Sequence, residues 1–137
     1  ETVCLRASSG QIVWRNDQKC YEQSMLAVDG HVYAVTDGGI AFCWRASDGV
    51  EMWKSRLAGG AVSASPILAN GNIYLANEAG TVYVFKAQPS RFELVSRNQL
   101  GDEAFATPTI CDGRIYMRVA SSSGGSRQET LYCIGRK

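Results

Sequence analysis

The chain has 137 residues, of which 45% are hydrophobic, enough for a real core and too apolar for a disordered chain. Fourteen basic and thirteen acidic residues leave a net charge of +1 with no basic stripe, which removes the electrostatic case for nucleic acid or an anionic membrane surface. No apolar run reaches the ~18 residues of a bilayer span and none reads as a signal peptide, so any targeting segment is expected upstream of Glu1.

Helical periodicity is almost absent, while glycine-bearing turns recur at short intervals, so the elements read as short antiparallel strands. They group into four-stranded units, with strands A to D running from inside outward. Residues 1–20 hold the last two strands of one unit and carry Gly10-Gln-Ile-Val-Trp14. Residues 21–57 hold a complete unit: strand A, the Asp29-Gly30 turn, strand B over 32–36, strand C over 41–45, and strand D in Gly49-Val-Glu-Met-Trp53. Residues 58–100 hold another, with strand A at Ser65-Pro-Ile-Leu68, the Asn70-Gly71 turn, strand B over 73–77 and strand C over 82–86. Here Lys86-Ala-Gln-Pro-Ser90 replaces the Gly-xxx-Trp hairpin, and Phe92 and Leu94 are expected to take its apolar role. Residues 101–137 give strand A at Thr107-Pro-Thr-Ile110, the Asp112-Gly113 turn, strand B over 115–120 and strand C over 131–134, without a strand D. Asp-Gly and Asn-Gly supply the positive φ of tight hairpins, and proline suits an innermost strand with one unpaired edge.

These units are copies of one another. Val28-Asp-Gly-His-Val-Tyr33 returns as Ala69-Asn-Gly-Asn-Ile-Tyr74 and as Cys111-Asp-Gly-Arg-Ile-Tyr116, with the tyrosines 41 and 42 residues apart. A period of roughly 40 residues built from short strands predicts propeller blades. The fold class is therefore all-β: a partial β-propeller of four-stranded antiparallel blades, about three blades in this chain. Thirteen strands fall short of a closed ring of at least about four blades. An isolated arc would expose apolar blade faces at both ends. The expected partners are thus the remaining blades of a longer parent chain, or copies of this chain closing a ring.

The five cysteines fit this register. Cys4, Cys43 and Cys133 share one strand position that Val84 fills in the other copy, so they read as small buried hydrophobes. Equivalent positions in successive blades lie beyond the ~7 Å reach of a disulfide. Cys111 aligns with Val28 and Ala69 as a packing slot, and Cys20 alone lies near a loop. No spacing is zinc-like or CxxC.

At Leu5-Arg-Ala-Ser-Ser-Gly10-Gln-Ile-Val-Trp14 and Trp44-Arg-Ala-Ser-Asp-Gly49-Val-Glu-Met-Trp53 the sequence resembles the PQQ-like repeat, which typically reads Ala-Leu-Asp-Ala-x-Thr-Gly-x-x-x-Trp. That repeat builds the propellers of quinoprotein alcohol dehydrogenases and of BamB-like outer-membrane assembly lipoproteins. The resemblance covers nearly the whole chain and implies the C-terminal part of a bacterial propeller of seven or eight blades, periplasmic or secreted. It makes Gly10, Trp14, Gly49 and Trp53 blade-docking residues. The motif's aspartate is Arg6 and Arg45 here and its threonine is Ser9 and Asp48, so the docking chemistry is expected to differ.

Catalytic machinery is not legible. Quinoprotein dehydrogenases, by the same resemblance, need a stacking Trp, calcium held by Glu and Asn, a catalytic Asp and commonly adjacent cysteines. No Cys-Cys occurs here, and the only adjacent acids are Asp102-Glu103, which read as a solvated loop rather than a calcium site. His31, the only histidine, aligns with Asn72 and Arg114 and reads as surface, leaving no Ser/His or Cys/His nucleophile pair. The Ser-rich run 121–126 lacks the Lys of a phosphate loop and reads as a flexible insertion between strands B and C. No catalytic, cofactor or metal residue is predicted. The D–A and B–C loops share one face, which gathers Asp37, Arg56, Glu78, Asp102 and Glu103 as candidate ligand-face residues. The expected function is a non-catalytic binding or scaffold module, with a protein or ligand as partner. The alternative is part of a PQQ-dependent dehydrogenase, with PQQ and calcium held by residues on other blades.

Overall fold

A computed structural model describes residues 1–135, and every regular element in it is a strand. β1 (Thr2–Leu5) and β2 (Ile12–Asn16) form a two-stranded sheet. β3 (Leu26–Val28), β4 (His31–Val35), β5 (Ile40–Arg45) and β6 (Glu51–Arg56) form a four-stranded meander. So do β7 (Ile67–Ala69), β8 (Asn72–Ala76), β9 (Thr81–Lys86) and β10 (Leu94–Gln99). β11 (Thr109–Cys111), β12 (Arg114–Ser123) and β13 (Ser126–Ile134) form a three-stranded sheet. All pairings are antiparallel, and the chain is a partial β-propeller. The innermost strands β3, β7 and β11 have three residues each, and at β7 and β11 Pro66 and Pro108 stand just before the strand, where a residue without an N–H adds nothing to a ladder.

The turn chemistry sets the register. Asp29, Asn70 and Asp112 adopt φ of 46°, 49° and 49°, and the glycine after each is also positive, so each pair closes a two-residue hairpin. Successive sheets then pack face to face in chain order. Trp14 of the first sheet packs with Ala34, Phe42 and Trp44 of the second. Tyr33, Cys43 and Trp53 of the second pack with Ile73, Leu75, Tyr83 and Phe85 of the third. Ala76 of the third packs with Met117 and Val119 of the fourth. β4, β5, β8 and β9 are consequently buried on both faces, as strands sandwiched between blades must be. Hydrogen bonds repeat along with the sequence: the Ser24 amide donates to Ser65 Oγ and the Ser65 amide to Thr107 Oγ1, each at 2.9 Å.

Three details differ from expectation. The run 121–126 is no flexible insertion. β12 and β13 continue through it, with Ser121 opposite Gln128, Ser122 opposite Arg127, and the turn closed by Gly124 and Gly125 at φ 59° and 82°. Paired backbone, not side-chain propensity, orders these serines. The cysteine position is buried only where a sheet covers each side: Cys43 is buried, Cys4 is half-buried and Cys133 is exposed. Cys111 is exposed rather than packed, because no sheet lies against that side of β11 among the described residues. The third departure concerns strand D. Cys4 pairs with Trp14, Cys43 with Trp53, and Val84 with Ser96, each beside a bulge. Ser96, two residues beyond Leu94, therefore holds the third tryptophan position. Phe92 instead packs on Trp53 of the preceding sheet, with centroids 5.5 Å apart.

Candidate functional site

The two docking tryptophans are held by the same device. The Trp14 indole N–H donates to the Ala46 carbonyl at 2.8 Å, across 32 residues, and that of Trp53 donates to the Gln88 carbonyl at 2.8 Å. Each ring thereby buries its apolar body between sheets while its one polar atom is satisfied. Gly49 lies directly on this contact: a Cβ built on it would stand 2.7 Å from the Trp14 ring, at a φ of 74°. Gly10 has φ 69° and nothing within 4 Å of such a Cβ. Arg45 and Asp48, which replace the motif's acid and threonine, pair with each other inside their own hairpin, Nε to Oδ1 at 2.9 Å. The hydrogen bond from Arg45 holds the Asp48 carboxyl below its ordinary value. The acid has moved three positions along the turn and is neutralised locally.

The loop face is built from D–A and B–C loops clasping each other. Asp37 accepts the Tyr21 amide on its carboxylate at 2.9 Å, and its carbonyl accepts the Val62 amide at 3.0 Å. One repeat later, Glu78 accepts Ser63 Oγ–H at 2.6 Å, and its carbonyl accepts the Ala104 amide at 3.0 Å. Asp37 and Glu78 meet in a cavity of about 230 Å³ with Tyr21, Glu22, Ala61, Val62 and Ser63. Cys20 is half-buried rather than exposed, and its thiol is pushed up to about 11, first by burial and then by the Asp37 charge.

Farther along the same face, Glu103 accepts from Arg127 Nε at 2.9 Å, and Arg127 Nη1 donates to Glu129 at 2.6 Å. Arg118 also pairs with Glu129. Hydrogen bonds from Arg118 and then Arg127 hold the Glu129 carboxyl below its ordinary value. With Phe105, 53% exposed, these groups rim a cavity of about 120 Å³. Asp102 is no free acid either: its carboxylate accepts the Ser122 amide at 2.8 Å and ties the D–A loop to the extended hairpin. Arg56 stands apart from both cavities, its Nη1 3.3 Å from the Gly38 carbonyl. Of the five residues read from the sequence, the structure brings Asp37 and Glu78 together and places Glu103 in a second cluster. Arg118, Arg127, Glu129 and Phe105 were missed. Their signal was the alternation Arg127-Gln-Glu129, which puts both charges on one strand face, but only a strand reading of this stretch exposes it.

His31 Nδ1 lies 2.8 Å from the Asp29 carbonyl, within its own turn. Among the described residues no group of three or more His, Cys, Asp or Glu side chains converges to hold a metal ion. Among the described residues no helix is long and apolar enough to cross a membrane. The loop face offers one small cavity walled by Glu22, Asp37 and Glu78 and a second with salt-bridged walls beside an exposed aromatic.

Comparison with known proteins bears on this geometry. A family model described as outer membrane protein assembly factor BamB matches residues 1–92. BamB of Salmonella typhimurium is 25% identical over 136 residues, which is 98% of this chain and 32% of that protein. The chain thus spans about a third of the length of the curated relatives it matches. Among solved structures, BamB from Moraxella catarrhalis superimposes with a TM-score of 0.69 at 13% identity, covering 95% of this chain and 36% of that one. The quinohemoprotein alcohol dehydrogenase of Comamonas testosteroni gives 0.60 at 15% identity, over 74% of this chain and 17% of that one. Identities this low show a shared fold alone.

Proposed function

The chain belongs to the family of the outer membrane protein assembly factor BamB, and on that premise we propose that it is a non-catalytic, protein-binding scaffold serving outer membrane protein assembly. The observation that carries the reading is the alignment with BamB over 98% of the chain. The loop face supports it: Asp37 and Glu78 line one small polar cavity and Glu103 another, while Arg56 and Asp102 stand on the same face outside them, Asp102 bound to the Ser122 amide. Such a rigid, charge-patterned surface recognises a partner by complementarity and leaves no activated group for chemistry. Trp14, Gly49 and Trp53 dock the blades and keep that face rigid, while Gly10 faces no neighbour among the described residues. Further blades cover the apolar residues exposed on the end sheets, such as Leu5, Ile12 and Leu131, at 56%, 56% and 70% exposure. In this reading the scaffold works in the periplasm, which a part in outer membrane protein assembly supports.

Deleting the gene in its host tests this reading: the level of outer membrane β-barrel proteins is expected to fall and to recover when the full-length protein is restored. The rival is a quinone-dependent dehydrogenase whose PQQ and calcium sit on other blades. Dye-linked alcohol oxidation by the full-length protein with added PQQ and calcium separates the two, and turnover there would overturn the scaffold.

A further inference from the structure

The turns that close the inner hairpins hold an aspartate before glycine in the second and fourth sheets, Asp29 and Asp112, but an asparagine in the third, Asn70. Asn70 is exposed at φ 49°, and Gly71 follows at φ 71° with nothing within 4 Å of where a Cβ would stand. Among the described residues the Gly71 amide donates to no backbone group. A nucleophile and an electrophile, the Gly71 nitrogen and Asn70 Cγ, are therefore joined by a short tether, uncrowded and in water.

No other asparagine combines these conditions. Asn16, Asn72, Asn77 and Asn98 precede Asp17, Ile73, Glu78 and Gln99, whose side chains crowd the same approach. Asn77 is also fixed, its Oδ1 accepting the Thr81 amide at 2.8 Å and its Nδ2 donating to the Gly59 carbonyl at 2.7 Å. Asp29 and Asp112 share the turn, but a carboxylate is a far poorer electrophile than an amide near neutral pH.

We infer that Asn70 is a site of spontaneous covalent modification. The Gly71 nitrogen attacks Asn70 Cγ, and its proton passes through water to Nδ2. The Cγ–Nδ2 bond breaks, ammonia leaves, and a succinimide ring is closed. Water then opens the ring at either carbonyl. Opening at Cγ gives aspartate on the ordinary main chain, the residue both repeat mates carry. Opening at the main-chain carbonyl carbon gives isoaspartate, with the main chain routed through Cβ and Cγ. The hairpin must open locally for the ring to close, and β7 makes that easy: it is three residues long and stands at the edge of its sheet.

The two products act differently on the blade interface. The Gly71 carbonyl accepts the Ala87 amide at 3.0 Å, and the next residue, Gln88, presents the carbonyl that holds the Trp53 indole. A similar chain of contacts runs one repeat earlier from Gly30 through Ala46 to Trp14. Isoaspartate lengthens the main chain just ahead of Gly71, which displaces that carbonyl and loosens the seat of Trp53. Aspartate leaves it in place.

Incubation of the full-length protein in warm, mildly alkaline buffer, followed by peptide mapping and enzymatic methylation of isoaspartate, tests the inference. Asn70 is expected to lose its amide ahead of every other asparagine and to yield both products. Gly71→Ala should lose most of the reaction. The isoaspartyl form, isolated by chromatography, should have a lowered Tm, whereas Asn70→Asp should keep that of the unaltered protein. Earlier conversion of another asparagine, or an Asn70 that keeps its amide in the folded protein, would overturn the inference. An isoaspartyl form with unchanged Tm would overturn its link to Trp53. Should Gly71→Ala not fold, mapping of the unaltered protein still decides the matter.

Discussion

Gly49 and Gly10 occupy the same turn position, at φ 74° and 69°, yet only Gly49 faces a neighbour, the Trp14 ring. Changing Gly10 to Ala therefore carries only the left-handed backbone cost of ~1–2 kcal/mol. Changing Gly49 to Ala adds an overlap with a ring fixed by its own hydrogen bond, for a total of about 2–5 kcal/mol. Urea unfolding of the two variants should show Gly49→Ala as the less stable. The sequence motif names both glycines, but the difference between them depends on a contact 35 residues away along the chain. The cysteines give a second test. Cys111 and Cys133 are exposed, Cys20 is half-buried with its thiol near 11, and Cys43 is buried. Native-state alkylation at pH 8 should modify Cys111 and Cys133 first and Cys43 last. Linkage fixes the sign of the pH effect: the unfolded chain releases the Cys20 proton near 9.0 and the folded chain keeps it to about 11. Stability contributed by this group is thus full below pH 9 and declines as pH rises through that window. The repeat could assign Cys43 to the core, since valine replaces it one blade later. It could not do so for Cys133, because burial there depends on a flanking sheet and not on the residue.

At the scale of elements, the turn dipeptides and paired aromatic runs made most strands legible, because both signals are local. What stayed hidden was set by partners distant in the chain. Four serines and two glycines between residues 121 and 126 carry little strand propensity, yet they form the end of a long hairpin because β13 supplies a ladder partner for Ser121, Ser122 and Ser123 and the two glycines make the turn. Asp102 anchors this hairpin through the Ser122 amide. Hydrogen exchange should find that amide protected, and Asp102→Ala should speed its exchange by roughly tenfold or more, in line with a charge-assisted bond of about 1.5–3 kcal/mol. Strand D of the third sheet was hidden for the opposite reason. Phe92 and Leu94 carry the apolar signal, but a longer turn and a bulge place Ser96 in the tryptophan register. Trp53 is only 8% exposed and seals the interface between the two complete sheets. Replacing it with Ala is expected to cost about 3–5 kcal/mol in urea unfolding, the range for a buried aromatic.

For the molecule as a whole, the period announced the architecture, since a period near 40 residues has few structural solutions. The candidate face was only half legible. Which loops share a face follows from strand order, so Asp37 and Glu78 could be placed together. Arg118, Arg127 and Glu129 project from a hairpin that composition disguised. On the proposed reading the loop face is patterned for a partner, while the turns on the opposite face reverse the chain and hold the docking tryptophans through the Ala46 and Gln88 carbonyls. Site-specific photo-crosslinking in the living host tests this most directly, with probes placed at Asp37, Glu103 and Phe105 and, on the opposite face, at Asp29 and Asp112. The account predicts adducts with components of outer membrane protein assembly from the first group and none from the second; adducts confined to the second group would contradict it.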